Sequence, residues 1–391
     1  MPRLRYLTAG ESHGEMLTGI IDGIPSGLEL VAEQDIDPVL AERQKGYGRG
    51  RRQQIEQDRA RITGGVRFGL TTGGPISLLI ENKDWANWTD RMSVQPASNE
   101  KPVTIPRPGH IDLAGAIKYG HEADVRNAFE RASARETAMR VALGAIAMKL
   151  LAELNIQSIA YVQSVGLIRS AEVHDPFPLR ATIAGSPLRT PDARAAEEMM
   201  ALIDLAKANG DTLGGTVVCV VSGLPIGVGS HVQSDRKLDG LLAEALMSIQ
   251  AVKGVEIGAG FRAAHSFGSE VHDALEISEG AIRHTSNNAG GLEGGVTNGE
   301  DLIVTVAMKP ISTLMRPLNS IDLATGEPAL AHIERSDVCA VPALSVIVEA
   351  VTALVLADAI LDTFGGDTVD ELRSRVHARR DRSMLTNLKQ S

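Results

Sequence analysis

The stretch from Val341 to Ile360 limits the fold more than any other: it is apolar on nearly every helical face, and the only charges in it are Glu349 and Asp358. A helix apolar all round has no face to offer to water, so it belongs in a protein core or a membrane. Two carboxylates inside the run argue against the membrane. A buried helix is therefore expected over Pro342–Leu361. A second run, Thr137 to Leu154, is alanine-rich and also reads as helix. Ser133 and Glu136 stand ahead of it at capping-box spacing. The chain is 391 residues long and 43% hydrophobic, enough for a large core, and with 3% aromatic residues that core must be aliphatic.

Alternating apolar residues predict strands over 4–9, 17–24, 61–66, 75–81, 156–168, 217–224 and 301–308. Helices are expected from Asp37 to Lys45, with Pro38 at the first position, from Pro191 to Asn209, closed by Gly210, and from Asp235 to Ile249. Asn82 to Val103 holds both tryptophans and reads as a polar surface loop. An echo runs through the chain. Gly23-Ile24-Pro25-Ser26-Gly27-Leu28 returns as Gly223-Leu224-Pro225-Ile226-Gly227-Val228. Gly73-Gly74-Pro75 is loosely matched by Gly294-Gly295-Val296, and Arg131-Ala132-Ser133 by Arg335-Ser336-Asp337. The common order predicts a tandem duplication. Its halves, about 1–168 and 211–364, are joined by a connecting segment within one domain, 1–364. A polar, peripheral tail follows at 365–391. Two arginine-headed helix starts around a pseudo-twofold axis would build one composite site.

Lysine and arginine number 39 against 49 aspartates and glutamates, a net charge of −10. That disfavours nucleic acid and membrane surfaces as partners and makes local basic clusters informative. Cys219 and Cys339 lie in apolar surroundings and predict buried thiols in a reducing, cytoplasmic compartment. Met1 to Gly10 has no apolar h-region, so no secretory signal is expected. In Gly10-Glu11-Ser12-His13-Gly14, His13 suits proton transfer, and Ser12 could bind an anion or orient the imidazole. Arg43, Lys45, Arg49, Arg51 and Arg52 crowd one helix end and loop, which predicts an anion to relieve the repulsion. The helix start at Ser133, flanked by Arg131 and Arg135, is a second anion position, with His110 reaching towards it. Lys309-Pro310-Ile311-Ser312-Thr313 is a third. His121, His265, His272 and His284 are scattered, with no HExxH or CxxC set, so no metal site is expected. No GxGxxG follows a strand, so no Rossmann domain is indicated.

Taken together, these stretches resemble chorismate synthase. The resemblance covers the chain to about Phe364. It rests on GESHG at 10–14, RQKGYGRGRR at 43–52, RPGHIDLAGAIKYG at 107–120, RASARETAMR at 131–140, QAVKGVEIG at 250–258, SNNAGGLEGGVTNGE at 286–300, KPIST at 309–313 and RSDVCAVPA at 335–343, in that order. The resemblance implies a carbon–oxygen lyase. Its reaction is the 1,4-elimination of phosphate and the C6 hydrogen from 5-enolpyruvylshikimate 3-phosphate, giving chorismate in the shikimate pathway, with reduced FMN as cofactor. By similarity His13 protonates the departing phosphate, Ser12 positions it, and His110 supplies a proton to the reduced flavin. Asp337 acts in removing the C6 hydrogen, directly or through flavin N5. Ser133 joins the catalytic set. FMN contacts carry over to Arg131, Ala132, Ser133, Gln250, Ala251, Gly294, Lys309, Pro310, Ile311, Ser312, Thr313 and Arg335. Arg43 and Arg49 fall where the family is associated with NADP or substrate phosphate. The implied fold is α+β, with helices layered between antiparallel β-sheets as a β-α-β sandwich. The implied assembly is a homotetramer, supplied with reduced FMN by an external reductant.

Two other readings stay open on the residues alone. One is a flavin-independent phosphatase or phospholyase using His13, His110 and the arginines. The other is a non-enzymatic binder of phosphorylated ligands or RNA through Arg43 to Arg52, against which the acidic balance and scarce aromatics count.

Overall fold

Leu17, Gly19 and Ile21 are buried at every second position, as are Ile76, Leu78 and Ile80. A period of two turns each set to one face of a sheet. The computed structural model describes residues 3–50, 57–96, 101–278, 281–334 and 336–382. Among them, β1 (Arg5–Ala9), β2 (Met16–Asp22), β3 (Ala60–Gly64) and β4 (Ile76–Glu81) form an antiparallel sheet in the order β1-β2-β4-β3. A second antiparallel sheet contains β5 (Gln157–Val165), β6 (Ile168–Arg169), β7 (Gly215–Ser222), β8 (Val252–Ile257) and β9 (Leu302–Met308), in the order β8-β9-β7-β5-β6. The molecule is a mixture of helix and strand. One expectation fails here. The strand at 156–168, read as closing the first half, hydrogen-bonds to β7 in the second sheet.

The longer helices among the described residues are α1 (Asp37–Gln44), α2 (Asp112–Tyr119), α3 (Arg126–Ala132), α4 (Thr137–Ala152), α5 (Ala193–Ala208), α6 (Leu238–Met247), α7 (Val341–Phe364) and α8 (Val369–Arg382). The run that opens the argument is α7, long and apolar enough to cross a membrane but almost wholly buried inside the molecule. It packs against β5 and β7, while α4 packs against β2 and β4. The two helices meet where Gly144 faces Ala350. A Cβ on Gly144 would lie 2.6 Å from the Ala350 Cβ. On the other side of α4, Met139 fills the space that a side chain at Gly19 would need.

The echoed hexapeptides adopt matching turns. Thr71 Oγ1 donates to Pro25 O at 2.6 Å and accepts from Leu28 N at 2.9 Å. Thr297 Oγ1 donates to Pro225 O at 2.7 Å and accepts from Val228 N at 2.9 Å. Each threonine ends a small hairpin, Val66–Arg67 with Leu70–Thr71 and Leu292–Glu293 with Val296–Thr297. The hairpin turn equivalent to Gly294-Gly295 is thus Phe68-Gly69, rather than Gly73-Gly74. The tail read as peripheral is also different. Residues 369–382 form α8, with Val369, Leu372 and Val376 buried in the main core. Its amphipathic spacing was hidden by the surrounding charges. Both cysteines are free and buried, and burial raises their pKa values, that of Cys339 to about 11.

Replacing Gly144 with Val should overpack the α4–α7 crossing and destabilise the chain by about 1–3 kcal/mol. Urea denaturation reads this as a lower midpoint. An unchanged midpoint would mean that the two helices separate freely.

Candidate active site

His13 sits in the turn between β1 and β2. The carboxylate of Glu130, from the last turns of α3, grips it twice. The His13 backbone N–H donates to Glu130 Oε2 at 3.1 Å, and Nδ1 lies 2.8 Å from Oε2 and 3.0 Å from Oε1. Glu130 is buried, and Arg126 Nη1 donates to its Oε1 at 2.9 Å. A carboxylate on Nδ1 fixes that nitrogen as the N–H side of the ring, which makes Nε2 the proton-exchanging atom. The indole of Trp88 stacks on the imidazole at 3.7 Å. Ser133 Oγ donates to Ser12 Oγ at 3.2 Å and accepts from Arg135 N at 3.3 Å.

His110 follows the Pro108-Gly109 turn, just before α2. Its Nδ1 is hydrogen-bonded to Asp112 Oδ1. Arg107 clamps the same carboxylate, with Nε to Oδ2 at 2.8 Å and Nη2 to Oδ1 at 3.1 Å. Burial works to raise the Asp112 pKa. The hydrogen bonds from His110 and Arg107, with their charges, outweigh it and hold the carboxyl well below the ordinary carboxylate range. Arg107 Nη1 also donates to Thr313 Oγ1 at 3.1 Å, and Lys309 Nζ donates to Gly109 O at 2.5 Å. The 309–313 segment is thus tied to the His110 turn at both ends. Burial, and then the Lys253 charge, lower the Lys309 pKa.

Asp337 stands just before α7. Its Oδ1 accepts from Gly50 N at 2.6 Å, and its Oδ2 pairs with Arg49 Nη1 at 3.1 Å. Gln250 donates through Nε2 to Glu136 Oε2 at 3.2 Å. Ala251 beside it has φ +67, an unusual conformation for a residue with a side chain. These segments wall a single cavity of about 1480 Å³. Ligand pockets commonly measure about 300–1,000 Å³, so there is room for more than one small molecule.

A chorismate synthase family profile matches residues 4–361. The chain belongs to the chorismate synthase family. Chorismate synthase 1 of Bacillus cereus is 54% identical over 383 residues, covering 95% of this chain and 97% of that protein. Chorismate synthase of Geobacter sulfurreducens is 54% identical over 381 residues, covering 95% and 96%. A solved structure titled as a crystal structure of chorismate synthase superposes with a TM-score of 0.79 at 42% identity, over 97% of this chain and 98% of the other. Membership makes this chain an enzyme, a lyase of aromatic biosynthesis.

The cavity brings together most of the residues that the family resemblance singles out. Ser12, His13, Arg43, Arg49, His110, Ser133 and Asp337 all line it. Ala132, Gln250, Ala251, Lys309, Ile311, Ser312 and Thr313 complete it. Others lie elsewhere. Arg131 turns back to β1, where its Nη2 donates to Thr8 O at 2.8 Å. Pro310 is exposed. Gly294 lines a separate hollow of about 380 Å³ beside Asp273. Arg335, Arg51 and Arg52 fall outside the described residues.

The capping box does not form. A 3-10 turn, Ala134–Glu136, precedes α4, and Glu136 points to Thr8, Arg140 and Gln250 instead of back to Ser133. Two of the arginines already have a carboxylate of the chain beside them. Arg135 is paired with buried Asp58 at 2.6 Å, and Arg43 lies 3.8 Å from the same carboxylate while donating to Thr137 Oγ1 and Ala134 O. The residues missed in the sequence are Glu130, Asp112, Arg107 and Trp88. Asp112, two residues after His110 at a helix start, was within reach of pattern reading. Glu130, 117 positions from His13, was not.

Because the Asp112 pKa is lowered on folding, its stabilising contribution is complete above the ordinary carboxylate range and is lost as the pH falls below about 4. Asp112→Asn should therefore be less stable than wild type in urea at pH 7, and the gap should narrow below about pH 4. A gap that stays constant down to pH 3 would contradict the ion-pair account.

Proposed function

We propose that this chain eliminates phosphate and the C6 hydrogen from 5-enolpyruvylshikimate 3-phosphate to give chorismate, with reduced FMN held in the same cavity. The observation that carries the reading is the meeting of two carboxylate-backed histidines and Asp337 around one hollow large enough for two ligands. The cavity wall also suits a polar, phosphorylated cofactor. Gln250 Oε1 and Arg49 Nε are buried without hydrogen-bond partners among the described residues, and a ligand would satisfy them. Lys309, Ser312 and Thr313 offer an ammonium and two hydroxyls to a phosphate. These residues, with Ala132, Ser133 and Ala251, would hold FMN. When bound, reduced FMN supplies electron density to the allylic system as the C–O bond breaks.

The chain's own groups do the rest. His13, with Nδ1 on Glu130, gives the proton on Nε2 to the departing phosphate. The Ser12–Ser133 pair orients that phosphate. His110, with Nδ1 on Asp112, holds its exchangeable proton at Nε2. Asp337 takes the hydrogen from C6 as a proton. Arg49 holds Asp337 through Nη1 but its buried Nε has no partner among the described residues, so it meets a substrate phosphate better than Arg43, whose guanidinium is committed to Thr137 and Ala134. An external flavin reductant, a cytoplasmic setting and a homotetramer belong to the same reading. So do the β-α-β sandwich and the internal duplication. The strand orders β1-β2-β4-β3 and β5-β7-β9-β8 support the duplication, as do the matching turns at Thr71 and Thr297.

An anaerobic assay with chemically reduced FMN tests the reaction. Chorismate and phosphate should appear in equal amounts, and neither without reduced flavin. Phosphate release without flavin would favour the phosphatase reading, and full turnover in air on NADPH alone would remove the external reductant. His110→Ala should lower turnover by about a hundredfold or more while FMN stays bound. Unchanged turnover would take His110 out of the mechanism.

A further inference from the structure

Trp88 belongs to none of the motifs behind the functional reading, yet its ring lies 3.7 Å from that of His13 at an interplanar angle of 25°. Its segment is fastened to the turn that carries the histidine. Buried Asn82 donates through Nδ2 to Gly14 O at 2.8 Å and through its backbone N–H to Glu15 O at 2.9 Å. The Asp84 N–H donates to Asn82 Oδ1 at 3.0 Å, and Asp84 Oδ2 accepts the indole N–H of Trp88 at 2.9 Å. The 3-10 turn Trp85–Asn87 closes the short arc between them. The guanidinium groups of Arg91 and Arg126 stand 5.5 Å and 5.6 Å from the indole. Arg126 in turn pairs with Glu130. Glu130 therefore holds the imidazole by one edge and Trp88 by one face.

We propose that Trp88 is a positioning residue for proton donation by His13. It covers one face of the imidazole, keeps water from it and, with Glu130 on Nδ1, confines proton exchange to Nε2. An indole face is electron-rich and accommodates an imidazolium ring. A ring held by edge and face keeps its donor atom in place before the substrate arrives, so no rotational freedom is lost at the reacting step. Asn82 to Trp88 is on this account a fixed cover of the site, placed by its hydrogen bonds to Gly14 and Glu15. The proposal rests on the reading of His13 as donor to the leaving phosphate.

The test compares the wild-type holoenzyme with Trp88→Phe and Trp88→Ala. Turnover with 5-enolpyruvylshikimate 3-phosphate and reduced FMN gives kcat and KM. FMN affinity is measured separately, and proton–carbon NMR reads the His13 ring, assigned through the signal lost in His13→Asn. In wild type, the His13 ring protons should be shifted upfield by the stacked indole. The alanine variant should lose that shift and about a hundredfold in kcat, with KM and FMN affinity little changed. The phenylalanine variant, which keeps an aromatic face, should recover most of the rate. Wild-type kcat in the alanine variant overturns the proposal. So does a fall in kcat accompanied by a comparable rise in KM and loss of FMN affinity, because that marks a generally loosened site. No upfield shift in wild type overturns the stack itself. If wild type makes no chorismate, the underlying reaction reading fails, a result distinct from an active wild type with an indifferent Trp88.

Discussion

Gly144 has no side chain, and Ala350 occupies the space where one would go. This contact lets α4 and α7 cross with their backbones close together, and it brings their starts to a common place. The turns that lead into both helices carry polar residues that line the cavity: Ser133 and Arg135 ahead of α4, and Ser336 and Asp337 ahead of α7. Beyond those turns the helices are apolar and buried. The boundary between core and site is therefore a boundary along each helix. A polar helix start left inside the core would strand unpaired N–H groups, and here the cavity receives them.

The site is charged although it is largely removed from water, and that sets a second requirement. A buried cation is costly unless a carboxylate meets it. Arg135 has Asp58, Arg107 has Asp112, and Arg49 has Asp337. The chain itself thus holds its arginines in place before any ligand arrives. The two histidines follow the same logic, each with Nδ1 on a carboxylate that an arginine also holds. An array of donors fixed in advance needs little reorganisation when charge moves to a leaving phosphate.

Several parts of this arrangement were legible in the sequence. The buried helix over 342–361, the strand spacing and the ordered motifs from 10–14 to 335–343 follow from local periodicity and composition. His13, His110 and Asp337 were visible because histidines and aspartates among glycines and prolines stand out. Other parts were misread because the same local pattern supports more than one outcome. Ser133 and Glu136 have capping-box spacing, but Glu136 finds Thr8, Arg140 and Gln250 instead. The basic run at 43–52 reads as a cluster awaiting an anion, while Asp58, shortly after it, lies beside Arg43 and Asp337, far along the chain, pairs with Arg49.

What the sequence determined by itself is the inventory: which segments are too apolar for water, where the turns fall, and which proton-carrying side chains exist. These follow from short-range chemistry, in which neighbours within a turn or a strand repeat decide the outcome. Only the tertiary structure decided the pairings, Glu130 with His13 across 117 positions and Gly50 with Asp337 across 287. It also decided that Trp88, in a polar loop, covers an imidazole. The physical reason is that burial and opposite charge act through space. Both depend on which surfaces the crossing of α4 and α7 brings together, and no local pattern records that.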